Sequence, residues 1–158
     1  SRFDPRVGAM SEHRATVHWN RQGTEFTQKE YTRDHVWGFE GGSEVRASAA
    51  PQYLGNEALV DPEQAFVASL SSCHMLTFLA LSARAGFVVD DYRDEAVGKM
   101  ERNSEKRIAI TRVTLRPMIT WGSEPPDREQ LDSLHANAHK HCFIANSVTT
   151  EVVVESPV

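Results

Sequence analysis

The stretch Asp61-Pro62-Glu63-Gln64-Ala65-Phe66-Val67-Ala68-Ser69-Leu70-Ser71-Ser72-Cys73-His74, running on apolar through Leu81 to Gly86, decides the fold. Asp61 suits a helix N-cap, Pro62 the first helical position, and Glu63 and Gln64 place acidic or acceptor groups in the first turn. Gly86 supplies the stop. No residue from Ala65 to Ala83 is charged, so the spacing predicts one long helix with no polar face, buried on most sides. The run is about as long as a membrane span. Its serines, His74 and the charged flanks instead predict the central helix of a soluble domain.

Outward from this helix the chain reads as strands. Ala15 to Trp19 alternates, Asn20 to Gly23 turns, and Tyr31 to Phe39 carries Tyr31, Arg33, His35, Trp37 and Phe39 on one face. Glu40-Gly41-Gly42-Ser43 is a hairpin turn into Glu44 to Ala49, which makes an antiparallel meander of three strands. Beyond Gly86, Val88 to Arg102 and Ile108 to Trp121 are expected to pair as one long hairpin around the turn at Asn103 to Lys106. Leu131, Leu134, Ala138 and Cys142 recur every three or four residues, an amphipathic helix with a thiol at its far end. Val148 to Glu155 closes the chain as a strand. The order βββαββαβ, with no βαβ alternation, is α+β.

The 158 residues predict one domain, and the net charge of −5 gives no basic footprint for nucleic acid. Residues 1–9 show no periodicity and precede a natural start at Met10-Ser11-Glu12. They read as a cloning remnant or disordered tail, with residues 1–12 outside a single domain spanning 13–158. With no signal-peptide pattern and no second long apolar run, the expected setting is cytoplasmic, with no membrane partner.

Two cysteines are too few for a secreted disulfide framework. In a reducing compartment they are either two buried small hydrophobes or a working redox couple. Cys73 needs a cation brought by another segment to ionise, because His74 points about 100° away around the helix. Cys142 follows His139, Lys140 and His141, which are expected to favour its thiolate. Their spacing fits no zinc motif. His135 and His139 stand at i and i+4, the spacing of a metal-binding pair, and define an alternative reading as a metal-binding module at that helix end.

Asp61-Pro62-Glu63-Gln64-Ala65-Phe66, followed ten residues after Glu63 by Cys73, resembles the start of the central helix in the OsmC/Ohr family of organic hydroperoxide reductases. Ala138-His139-Lys140-His141-Cys142-Phe143-Ile144-Ala145-Asn146 is similar to that family's second cysteine segment, and Tyr31-Thr32-Arg33-Asp34-His35 to the strand that holds its catalytic arginine. The resemblance covers about residue 13 to the end. It implies an OsmC-like α+β fold, antiparallel sheets wrapped around a buried helix, in an intertwined homodimer. It further implies Cys73 as the peroxidatic thiolate and Cys142 as the resolving thiol. Arg33 would hold Cys73 ionised, with Arg46 on the next strand as its rival, and Glu63 would orient the guanidinium. The implied reaction reduces organic hydroperoxides through a Cys73 sulfenic acid and a Cys73–Cys142 disulfide. An external dithiol, in the family a lipoylated protein, restores the thiols, and no metal or organic cofactor is required. The alternative within the fold is a stress or binding protein with little turnover.

Overall fold

The computed structural model describes residues 11–157. The expectation for residues 1–9 lies outside them, as does most of that for residues 1–12. The chain divides into two compact units, one up to Pro62 and one from Glu63 onward.

The N-terminal unit is the expected meander. Strands β1 (Ala15–His18), β2 (His35–Phe39) and β3 (Glu44–Ala47) pair antiparallel in that order, with Val17 opposite Trp37 and Trp37 opposite Val45. β2 starts later than the alternation from Tyr31 suggested. Tyr31 instead closes a turn whose backbone N–H groups on Glu30 and Tyr31 both reach the Thr27 carbonyl. Arg33 therefore lies on the loop entering β2 rather than within a strand. A 3-10 turn over Pro51–Tyr53 follows β3.

The second unit is built on α1 (Pro62–Arg84). Its stop is a Schellman motif: Gly86 takes φ +87°, its N–H reaches the Ala83 carbonyl, and the Phe87 N–H reaches that of Ser82. The burial differs from the reading of a helix enclosed on most sides. Only the i, i+4 row Leu70, His74, Phe78 and Ser82 is buried, and Leu76 remains 61 % exposed. The helix is long and apolar enough to cross a membrane by length and composition. Apolar composition states what a helix can bury; neighbouring elements decide what it does bury.

The expected long hairpin forms, but broken in two. β4 (Val89–Asp94) pairs with β7 (Pro117–Trp121), and β5 (Val97–Arg102) with β6 (Ile108–Leu115), both antiparallel. The break has a local cause. Pro117 brings no N–H to a ladder, the Arg116 N–H donates to Asp94 Oδ1 at 2.6 Å, and the Leu115 carbonyl accepts from Glu155. β8 (Glu151–Val154) joins β6 in parallel, unlike the antiparallel ladders of the other described strands. The crossover that reaches it contains α2 (Arg128–Lys140) and the short α3 (Phe143–Asn146), long enough for a parallel return. Asp127 and Gln130 form a complete capping box at the start of α2.

Two apolar clusters divide α1 along its length. Phe78 packs with Leu131, Leu134 and Ala138 of α2, flanked by Tyr92, Ile119 and Trp121 of the β4–β7 pair. Leu70 packs with Val113 and Leu115 of β6, flanked by Ile144, Ala145 and Val152. Going towards the N-terminus of α1, the partners thus advance from Leu131 to Ala145, so α1 and the α2–α3 segment run antiparallel along one seam. Gly98 on β5 lies under α1 because a Cβ there would come within 2.6 Å of Val67 Cγ2.

Candidate active site

The antiparallel seam brings the two cysteines together. Cys73 is half-buried on α1 and Cys142 is 1 % exposed; both are free thiols, close enough for Cys73 to act on the ionisation of Cys142. Cys142 does not end α2 as the periodicity suggested. The helix stops at Lys140, His141 caps it, and Cys142 becomes the N-cap of α3, its Sγ accepting from the Ala145 N–H at 3.4 Å.

That placement reverses the expected ionisation of Cys142. His139, Lys140 and His141 are all exposed, and the thiol is instead pushed up to about 11. Burial is the main cause and the neighbouring Cys73 thiol the next, opposed by the Ala145 and Ile144 N–H groups. Cys142 at neutral pH is a protonated thiol beside Cys73. Around Cys73 the backbone is fixed by Thr77, whose Oγ1 donates to the Cys73 carbonyl at 2.9 Å, and by Ser71, whose Oγ donates to Asp94 Oδ2.

The other expected site residues stand apart from this pair or in the other unit. Glu63 sits in the first turn of α1, roughly 15 Å along the axis from Cys73. Its Oε2 is buried and has no hydrogen-bond partner among the described residues. In the N-terminal unit, the Arg33 guanidinium lies 3.6 Å from the centroid of the Tyr31 ring and donates to the Tyr31 carbonyl at 2.6 Å and to the Gln28 carbonyl. Arg46, on β3 opposite Val36, is exposed and has no ion pair among the described residues.

Sequence reasoning placed His74 on the central helix without finding its partner. His74 Nε2 and His135 Nδ1 share a hydrogen bond of 3.0 Å, with the rings stacked 10° from parallel and 5.3 Å apart. His135 also stacks on Phe78, 4.4 Å between centroids. Both imidazoles are lowered to about 4, chiefly by burial. Beyond burial, His135, then His139, also lower His74, and Arg128 lowers His135, while Asp94 and Asp132 act in the opposite sense on His74 and His135 respectively. The remaining nitrogens, His74 Nδ1 and His135 Nε2, are buried without partners among the described residues. His135 thus turns into the seam while His139 faces solvent, and no described group of three His, Cys, Asp or Glu side chains is placed to hold a metal. Part of the signal was present in the sequence: His74 lies in the apolar i, i+4 row of Leu70 and Phe78, and His135 lies between Leu134 and Ala138 of the apolar α2 face.

The OsmC-like protein family model matches residues 55–156, which include both cysteines and Glu63. A solved OsmC-like protein of unknown function from Vibrio cholerae is 49 % identical, with a TM-score of 0.90 over 94 % of this chain and 100 % of that one. An organic hydroperoxide resistance protein OsmC from Legionella pneumophila shares the fold at 20 % identity, TM-score 0.69, over 94 % and 98 % of the two chains. The organic hydroperoxide resistance protein OhrB of Bacillus subtilis does so at 18 %, TM-score 0.64, over 91 % and 98 %. No curated protein matches the sequence. The family model over most of the chain and the close solved relative agree, and the chain belongs to the OsmC-like family, within the OsmC/Ohr fold.

Proposed function

We propose that the protein is a thiol-dependent peroxidase reducing organic hydroperoxides to alcohols, with residues from 13 onward acting as one OsmC-like domain. The observation that carries this reading is the pair of neighbouring free thiols, Cys73 half-buried on α1 and Cys142 buried at the start of α3. The Cys73 thiolate attacks the distal peroxide oxygen. The O–O bond breaks, the alkoxide leaves and takes a proton to become the alcohol, and Cys73 becomes a sulfenic acid. Cys142 then attacks that sulfur. Its proton and the sulfenic hydroxyl leave as water, and a Cys73–Cys142 disulfide remains. An external dithiol, such as a lipoylated protein in a reducing cytoplasm, returns both thiols.

Arg33 supplies the cation that keeps Cys73 ionised, and Glu63 is its carboxylate orienter. The unpartnered Glu63 Oε2 supports that role, because a buried carboxylate oxygen is costly without a donor. The axial gap between Glu63 and Cys73 favours a homodimer with composite sites, and the exposed Leu76 row of α1 is a surface a second copy would cover. The apolar helix favours alkyl hydroperoxides over hydrogen peroxide.

A second reading, an OsmC-fold binding or stress protein with little turnover, is favoured by the engagement of Arg33 with Tyr31 and the Gln28 carbonyl. Consumption of cumene hydroperoxide in the presence of dihydrolipoamide separates the two. Turnover by wild type that disappears in Cys73→Ser and falls at least about a hundredfold in Arg33→Ala is the expected result. Equal consumption by wild type and Cys73→Ser would sink the peroxidase.

A further inference from the structure

The seam between α1 and α2 carries two imidazoles between two sets of apolar contacts. Phe78 on one side of His74 meets Leu131, Leu134 and Ala138, and Leu70 on the other meets Ile144 and Ala145. Apolar contact is non-directional and tolerates changes of shape at nearly constant volume, so such a seam fixes the register of two helices loosely. The His74–His135 bond does what the apolar contacts do not, because it is directional and has one partner on each helix. It is also a poor device for stability: it leaves His74 Nδ1 and His135 Nε2 buried without partners among the described residues. A buried polar pair retained at such a cost is best attested as a specifier of register.

Register matters here because the neighbouring residue is Cys73. A disulfide forms only within a narrow range of separations, with Cα atoms about 4.4–6.8 Å apart. A slip of one helical residue, about 1.5 Å, is more than half the width of that range, so a small shift or rotation of α1 decides whether the bond can form. We propose that the hydrogen-bonded His74–His135 pair is a strut that holds Cys73 in register with Cys142, making the two imidazoles positioning residues for the dithiol. The proposal rests on the dithiol reading of the site. It goes beyond it by assigning the register of the two thiols to a pair that touches neither sulfur's chemistry.

The test is the equilibrium between the Cys73–Cys142 disulfide and glutathione, read by mass after acid quenching, with urea unfolding run on each variant. His135→Phe keeps the ring stack on Phe78 and removes the bond. His135→Asn places an amide where Nδ1 stood and can remake it. The expected result is a disulfide-to-dithiol ratio about tenfold lower in His135→Phe, a rise of about 30 mV in potential. His135→Asn should stay within about threefold of wild type. A folded His135→Phe with the wild-type ratio, or an His135→Asn as impaired as His135→Phe, overturns the strut while leaving the dithiol intact. If His135→Phe fails to fold, His74→Phe asks the same question from α1; failure of both to fold makes the pair a packing element and refutes the proposal. A wild type that forms no disulfide overturns the dithiol reading and the strut together, so the two failures are distinct.

Discussion

Lowering the pH from 7.5 to 5 destabilises the folded chain through His74 and His135. Burial, leaving the two residues 1 % and 5 % exposed, holds their imidazoles near 4 against an ordinary value of 6.5. Between those values the unfolded chain binds protons that the folded chain refuses. Stability is therefore fully present above about 6.5, falls as the pH falls towards about 4, and levels off below it. Each pKa unit is worth about 1.4 kcal/mol, so at pH 5 each ring accounts for a loss of about 2 kcal/mol. About 4 kcal/mol for the pair is a ceiling, because the two rings titrate as a coupled unit. In a domain of this size that corresponds to a fall in Tm of about 8–16 °C. Urea unfolding of wild type and of the double variant His74→Phe/His135→Phe at pH 7.5, 6 and 5 reads the effect. The double variant should be within about 2 kcal/mol of wild type at pH 7.5, since both partners are replaced by rings of similar shape. It should also lose the extra acid sensitivity. The reasoning is refuted if wild type is equally stable at pH 7.5 and 5, or if the double variant keeps the full loss.

Other expected outcomes follow from single side chains. Iodoacetamide at pH 8 should label Cys73 before Cys142, because Cys142 is buried and its thiol is held up to about 11; peptide mass mapping reads the order. Gly98→Ala should cost about 1–3 kcal/mol in urea unfolding by driving a methyl into Val67, and Val67→Ala in the same chain should restore part of it. Asp127→Ala removes the side-chain acceptor of the α2 capping box, the half that takes the Gln130 N–H, and should cost about 1 kcal/mol, measured as a shift in the urea midpoint without a change in slope.

Much of the fold was legible because its signals are local. Pro62 and Gly86 bound α1 by fixing backbone geometry at each end, and the three-strand meander follows from alternation and a glycine turn. The break in the long hairpin was not legible, since it depends on Asp94 and Glu155 taking the groups that Arg116 and Leu115 would have offered a ladder. The parallel pairing of β8 depends on where the crossover lands. The thiols show the same division. The place of Cys73 on α1 could be read, whereas neither the start of α3 at Cys142 nor the ionisation of Cys142 could. Sequence neighbours offered three basic side chains, but burial, a tertiary property, decides the sign. His74 was visible as a polar interruption of the apolar row of Leu70 and Phe78; only the antiparallel seam shows that it meets His135.

The central claim is that Cys73 and Cys142 are one redox couple, with Cys73 the attacker. Counting free thiols before and after one equivalent of cumene hydroperoxide, in wild type and in Cys142→Ser, tests it most directly. The account predicts the loss of both thiols in wild type and a trappable sulfenic acid on Cys73 in the variant. Unchanged thiols in both proteins would make the cysteines core residues and contradict the account.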